Sequence, residues 1–479
     1  MSSPFETIRH RQVRAAPALM PNSEATATSS ATVRRPWSDP NKDDARTERA
    51  LSGRSLISSL RWDRGMAGTD CNGITKSLTR DINSVILTDM VSPTKSAVAD
   101  DVEIVRRIFA HIDAGTTDEG DSWREPVENY LNAGRFAEEI RLLRRMPSVF
   151  VPSAAIPKPG DHVERVAFGV PLFAVRGHDE RARVFRNACR HRGFALVEDA
   201  GCSHALVCRY HGWTYRLDGS LSHAPHADAF PDLEPSTRGL VEVASREVDG
   251  LIVIGALDAG HPDPVPDEAM AALTDGTPWR DKLVPAERLV YVDSTPRAMN
   301  WKVLVEQFLD GYHIRSTHKD TFFPLQYDDL NVIETFGPNS RITFPYRNIE
   351  RLRDRPEATW STDARVTYVY HLFPNVMLAT FPDLVLMVAI DPVDIDHSTV
   401  TIYSMAKAEF AQRASLGPPI NPAGTLVARG AIEDNEMSMG VQRGLHAGAN
   451  EFVEFGRHES AIGHFHATLD ERLARLATA

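Results

Sequence analysis

"CRHRG" (Cys189–Gly193) and "CRYHGW" (Cys208–Trp213) are the stretches on which the reading of this chain turns. Each supplies one cysteine and one histidine, and the pairs are sixteen residues apart. Only four cysteines occur in 479 residues, so two are spent here. Thiolate and imidazole together are the ligands of zinc or of an iron–sulfur cluster. The totals set limits on the rest. A formal charge of -12 argues against nucleic acid or an anionic membrane as the partner. No apolar run approaches the roughly 20 residues of a membrane-spanning helix. So few cysteines form no disulfide scaffold, and a reducing, cytoplasmic setting is expected.

The order of the ligands separates the two metal readings. Zinc fingers pair Cys with Cys and then His with His, whereas here each loop carries one of each. In a Rieske 2Fe–2S centre two Cys hold one iron and two His hold the other. Cys189-x-His191 followed by Cys208-x-x-His211 meets that asymmetry. Cys71 and Cys202 fall outside the spacing and are expected as free thiols.

Around this motif the pattern predicts an α+β chain. Residues 1–100 are Ser, Thr, Ala and Pro-rich and read as a disordered tail or as an extension ahead of a true start at Met90. Residues 101–147 carry two helical patterns, "DDVEIVRRIFAHID" and "AGRFAEEIRLLRRMP". Residues 148–258 are short β-rich runs separated by Gly and Asp-Gly turns, an all-β module. A Pro-rich linker opens residues 259–479. There, strands such as "RLVYVDST", "TYVYHLFPNVMLATF" and "LVLMVAIDPVD" alternate with helical patterns, which predicts an antiparallel sheet covered by helices.

An electron carrier needs no second region of that size, so a site that consumes electrons is expected in it. "NWKVLVEQFLDGYHIRSTH" (300–318) contains Asp310, His313 and His318. Asp310 and His313 are i and i+3 neighbours on a helix. His318 lies about 140° further round, so the two histidines share one metal only if the helix ends between them. Two imidazoles and one carboxylate with open positions make the facial triad of non-haem Fe(II) oxygenases. "EDNEMSMGVQRGL" (433–445) is dense in carboxylates: Glu433, Asp434 and Glu436.

"CRHRG…CRYHGW" resembles the large (α) subunit of Rieske non-haem iron ring-hydroxylating oxygenases, and the resemblance spans roughly residues 100–479. It implies a Rieske cluster held by Cys189, His191, Cys208 and His211. It implies a mononuclear Fe(II) held by His313, His318 and Asp434, with Glu433 and Glu436 as rivals. Asp310 would bridge His211 of one subunit to His313 of the next, in a homotrimer or an α3β3 assembly. NAD(P)H would serve through a separate flavin reductase or ferredoxin, since no Gly-x-Gly-x-x-Gly opens a helix here. The implied activity is O2-dependent hydroxylation of an aromatic compound. The alternative is monooxygenation of a quaternary amine or an N- or O-methyl substrate. Asp at position 310 leans to the aromatic side, because several quaternary-amine members carry Glu there. An electron carrier without oxygenase activity is the reading from another class.

Overall fold

The structure, a computed structural model, describes residues 98–258, 279, 283, 288–406 and 426–478. The extension expected over residues 1–100 lies almost wholly outside them, as do Cys71 and the linker from residue 259. Helix α1 (Asp101–Ala114) starts where Asp100 Oδ1 accepts from the Glu103 amide, and it buries Ile104, Val105, Ile108 and Phe109. That is one apolar stripe at i, i+1, i+4, i+5 spacing. Strand β1 (Trp123–Pro126), the one-turn α2 (Glu128–Leu131) and α3 (Ala133–Leu143) follow.

Residues 148–254 form three antiparallel sheets. β2 (Ser148–Pro152), β3 (Asp161–Ala167), β4 (Val170–Arg176), β5 (Ala182–Arg186) and β6 (Gly201–Cys202) come first. Next are β7 (Leu206–Val207), β8 (Thr214–Tyr215), β9 (Leu221–His223), β10 (Glu242–Val243), β11 (Ser245–Val248) and β12 (Leu251–Ile254). The largest sheet runs β10-β5-β4-β3-β6, and β7-β8-β9 forms a small separate one. Phe173, Phe185, Cys189, Cys208, Trp213 and Tyr215 share one small core, so both motif cysteines are buried. Cys202 is disulfide-bonded, which corrects the expectation of a free thiol there.

The second region is a seven-stranded antiparallel sheet in the order β13-β19-β18-β17-β16-β15-β14. Its strands are β13 (Arg288–Arg297), β14 (Val332–Phe336), β15 (Asn339–Pro345), β16 (Val366–Leu372), β17 (Val376–Thr380), β18 (Leu384–Pro392) and β19 (Ser398–Ala406). "TYVYHLFPNVMLATF" reads as one run, but it holds two strands that pair as a hairpin. The chain turns at Pro374, which cannot donate to a ladder. Helices α4 (Trp301–Phe308), α5 (Ile314–Thr317), α6 (Leu426–Leu445) and α7 (Ser460–Thr478) accompany the sheet, and β20 (Phe452–Phe455) pairs with β1. No helix among the described residues is long and apolar enough to cross a membrane.

Two buried ion pairs hold these parts together. Arg165 on β3 forks onto Asp391 on β18 at 2.7 and 3.0 Å, and also donates to the carbonyls of Val149 and Phe150. Glu139 on α3 accepts from Lys302 Nζ on α4 at 2.8 and 2.9 Å and from Trp301 Nε1 at 3.0 Å. Both partners are buried, so each charge depends on the other. Helix α4 is thereby fixed one turn ahead of the histidines that follow it.

Candidate metal centres

The two Cys–His loops have the same backbone fold. In the first, the Gly193 amide donates to the Cys189 carbonyl at 2.8 Å and the Cys189 amide donates to the Phe194 carbonyl at 2.8 Å. In the second, Gly212 donates to Cys208 at 2.9 Å and Cys208 donates to Trp213 at 2.8 Å. Gly193 and Gly212 both take the left-handed conformation, φ 76° and 73°, that closes such a turn without a Cβ penalty. Each loop thus presents one buried thiol and one imidazole, the imidazole two residues after the cysteine in the first and three after it in the second. The imidazoles of His191 and His211 stand 4.6 Å apart, and His191 stacks on Trp213 at 5.0 Å.

This donor set fits a Rieske cluster. The Nδ1 atom of His191 is buried and has no hydrogen-bond partner among the described residues, as expected of a nitrogen reserved for a metal. Burial pushes the Cys189 thiol up, while the hydrogen bond with the Tyr215 hydroxyl, at 3.3 Å, pulls it down. The same hydroxyl accepts from the Arg190 amide at 2.9 Å, so its own proton is directed at sulfur. Hydrogen bonds to the sulfurs are one means by which a protein sets a cluster's potential. Tyr215 carries no signal in the ligand spacing, which is why the sequence reading missed it. His211 lies at the surface.

The second group assembles at the end of α4. The helix stops at Phe308, two residues before Asp310, and not between the histidines as expected. The Asp310 carboxylate accepts from the Tyr312 amide at 2.6 Å. A continuing helix would have given that amide to the Phe308 carbonyl, so the side chain has displaced the helical bond. His313 and His318 then flank the single turn of α5. Their Nε2 atoms lie 3.1 Å apart, and Asp434 Oδ1 on α6 lies 3.4 Å from the first and 3.0 Å from the second. First-row metal bonds of about 2.1 Å at right angles place neighbouring ligands about 3.0 Å apart, so the three atoms match one face of an octahedron.

Each imidazole is pinned from behind by another carboxylate. His313 Nδ1 donates to Asp310 Oδ2 at 2.9 Å, and His318 Nδ1 donates to Glu433 Oε2 at 2.8 Å. The Thr321 hydroxyl donates to the same Glu433 oxygen at 2.6 Å. A carboxylate on Nδ1 fixes the tautomer and leaves Nε2 free for a metal. Glu433, weighed from sequence as a rival ligand, therefore stands behind His318. Burial lowers the basicity of His313, but the carboxylates of Asp310 and Asp434 outweigh it and push its pKa up to about 10. Burial also acts to raise Asp434, yet hydrogen bonds from both histidines hold it below the ordinary carboxylate range. Such a site asks for positive charge, which a divalent cation supplies in place of protons. Glu306 takes no part: it is buried between the Tyr130 hydroxyl, at 2.7 Å, and His466 Nε2, at 2.9 Å. Tyr312, whose amide Asp310 captures, is 58% exposed.

A cavity of about 130 Å³ opens beside His313, His318 and Asp434. Its floor is the sheet: Val369, Ala379, Leu386, Val388 and Ile402 all face it. Phe322, Phe344 and Phe381 form apolar walls, and Phe322 meets the His318 ring edge to face at 5.0 Å. An engineered apolar cavity of about 150 Å³ takes one benzene, so there is room for one small ring or one trimethylammonium head.

Comparison with known proteins places these centres in context. Residues 147–238 match the model of the Rieske (2Fe-2S) domain, and residues 281–475 match that of the ring hydroxylating alpha subunit (catalytic domain). A carnitine monooxygenase oxygenase subunit from Acinetobacter baumannii is 27% identical over 43% of this chain and 56% of its own length. The chloroplastic choline monooxygenase of Beta vulgaris is 26% identical over 60% of this chain and 63% of its own length. The chain thus spans somewhat more than half the length of these curated relatives. Naphthalene 1,2-dioxygenase from Rhodococcus sp. superposes with a TM-score of 0.61 at 18% identity, covering 78% of this chain and 98% of that one, a likeness of fold.

Proposed function

The chain belongs to the Rieske ring-hydroxylating oxygenase α-subunit family, and from that premise we propose that it is the terminal oxygenase of an O2-dependent monooxygenase acting on a quaternary amine. The observation that carries the oxygenase reading is the meeting of His313, His318 and Asp434 beside an apolar cavity. An electron carrier has no use for either. When bound, the Rieske cluster supplies single electrons and a mononuclear ferrous ion supplies O2 activation.

The residues divide the remaining work. Cys189, His191, Cys208 and His211 hold the cluster. His313, His318 and Asp434 would hold the ferrous ion beside the cavity. Asp310 keeps the Nδ1 proton of His313, and in a head-to-tail ring of subunits it is the group that meets the neighbouring His211. The walls of Phe322, Phe344 and Phe381 exclude water, and their π-faces suit a trimethylammonium head. The carnitine and choline monooxygenases among the curated relatives weigh toward such a substrate and against the aromatic one expected from Asp310. A second reading, hydroxylation of a single aromatic ring, is favoured by the same apolar walls and by the Asp at position 310. A separate reductase or ferredoxin delivers the electrons in both.

Iron, acid-labile sulfide and the EPR spectrum after dithionite reduction test the reading. About three irons and two sulfides per chain, with a Rieske-type signal, are expected from one cluster and one mononuclear site. Two irons with the same signal would reduce the protein to a carrier.

A further inference from the structure

Apart from Gln307 and the residues of the metal site, the polar side chains that line the cavity beside the histidines lie together at one place. Gln326 and Thr367 both line it, and both are only 4% exposed. Gln326 Nε2 reaches Thr367 Oγ1 at a long 3.4 Å, and Thr367 Oγ1 lies 2.6 Å from the Tyr346 hydroxyl. Tyr346 in turn lines an adjoining chamber of about 480 Å³, which shares Phe322, Phe381 and Val427 with the first. Buried polar groups in an apolar wall require partners. A carboxamide offers two donors and one acceptor oxygen, and Gln326 uses them on a weak bond to Thr367 and a bond with the Tyr346 hydroxyl, which leaves capacity for one more partner. Among the described residues no Lys or Arg lines the inner cavity. A carboxylate placed against Gln326 and Thr367 would be desolvated with no Lys or Arg beside it, which is costly.

We propose that Gln326 and Thr367 form a subsite for a neutral hydroxyl or carbonyl group of the substrate, and that the same pocket discriminates against carboxylates. This rests on the oxygenase reading above and narrows its substrate class. A hydroxyl both donates and accepts, so it can give its proton to Gln326 Oε1 and take one from Nε2. A site built to bond such a group rejects analogues that leave its polar atoms unpaired.

Calorimetry on the iron-loaded protein tests this with two pairs, choline against glycine betaine and benzyl alcohol against benzoate. The hydroxyl member of at least one pair is expected to bind about ten-fold more tightly, roughly the worth of one hydrogen bond. Gln326→Leu and Thr367→Val are each expected to erase that preference while leaving the acid's affinity unchanged. Iron and sulfide content checks that each variant is folded, and either variant suffices if the other fails. Equal or tighter binding of the acids, an unchanged preference in both variants, or no binding of any probe at millimolar concentration would overturn the subsite. Preference for benzyl alcohol with no binding of choline would sink the quaternary-amine reading while the subsite stands.

Discussion

Glu433 and Asp434 are neighbours in the chain, yet they serve different atoms of His318. Asp434 Oδ1 lies 3.0 Å from Nε2, and Glu433 Oε2 lies 2.8 Å from Nδ1. The imidazole is clamped from both sides, and Thr321 steadies the outer carboxylate. Glu433→Gln keeps an acceptor but removes its charge. It is expected to weaken ferrous binding at the mononuclear site by about 10–100-fold, the usual effect of losing such a support. Chelator competition measures this, and the Rieske EPR signal should be untouched. Wild-type affinity in the variant would leave Glu433 an ordinary surface acid. The seven metal-site residues expected from the sequence fall in two groups, four on the two Cys–His loops and three where α5 meets α6. Tyr215, Thr321, Gln326 and Thr367 were invisible, because an isolated Tyr, Thr or Gln carries no spacing to recognise.

Helix α4 and the break after it decide where the histidines point. The run "AMNWKVLVEQFLDGYH" (298–313) reads as a helix that reaches His313, but Asp310 captures an amide and ends it early. The helix is held from the other side by the Glu139–Lys302 pair, in which Lys302 is 1% and Glu139 0% exposed. Glu139→Gln leaves the ammonium buried and unpaired, which is expected to cost about 3–5 kcal/mol. A fall in the urea midpoint would register it, together with earlier loss of mononuclear iron than of cluster iron. Simultaneous loss of both metals would mean that α3 supports the whole chain and not α4 alone. The charged residues of α3 look like a solvated helix face in sequence. Lys302 and Trp301, more than 160 residues away, make Glu139 a buried one.

In the molecule as a whole, the two regions share one continuous core, and Arg165 to Asp391 locks a strand of each to the other. His211 faces outward, while Asp310 is tied to His313 within the chain. A bridge from a neighbouring His211 would reach His313 through Asp310. Asp310→Asn is therefore expected to retain both metals and to slow substrate-dependent reoxidation of the reduced cluster by roughly 100-fold. Stopped-flow absorbance follows this directly. Reoxidation at the wild-type rate would remove Asp310 from the electron path.

The cysteine and histidine spacing, the period-two strands and the 3.6-residue stripes are local patterns, and they were enough to state the cluster, the α+β character and the histidine pair. The carboxylate ligand was not a local matter. On a helix, adjacent side chains point about 100° apart, so the roll of α6 against α5 selects among Glu433, Asp434 and Glu436. That roll is set by packing between segments more than a hundred residues apart. The substrate pocket has the same origin. Its apolar strand residues are indistinguishable from core in sequence, and only the way the sheet meets α5 and α6 leaves some of them facing a cavity instead of one another.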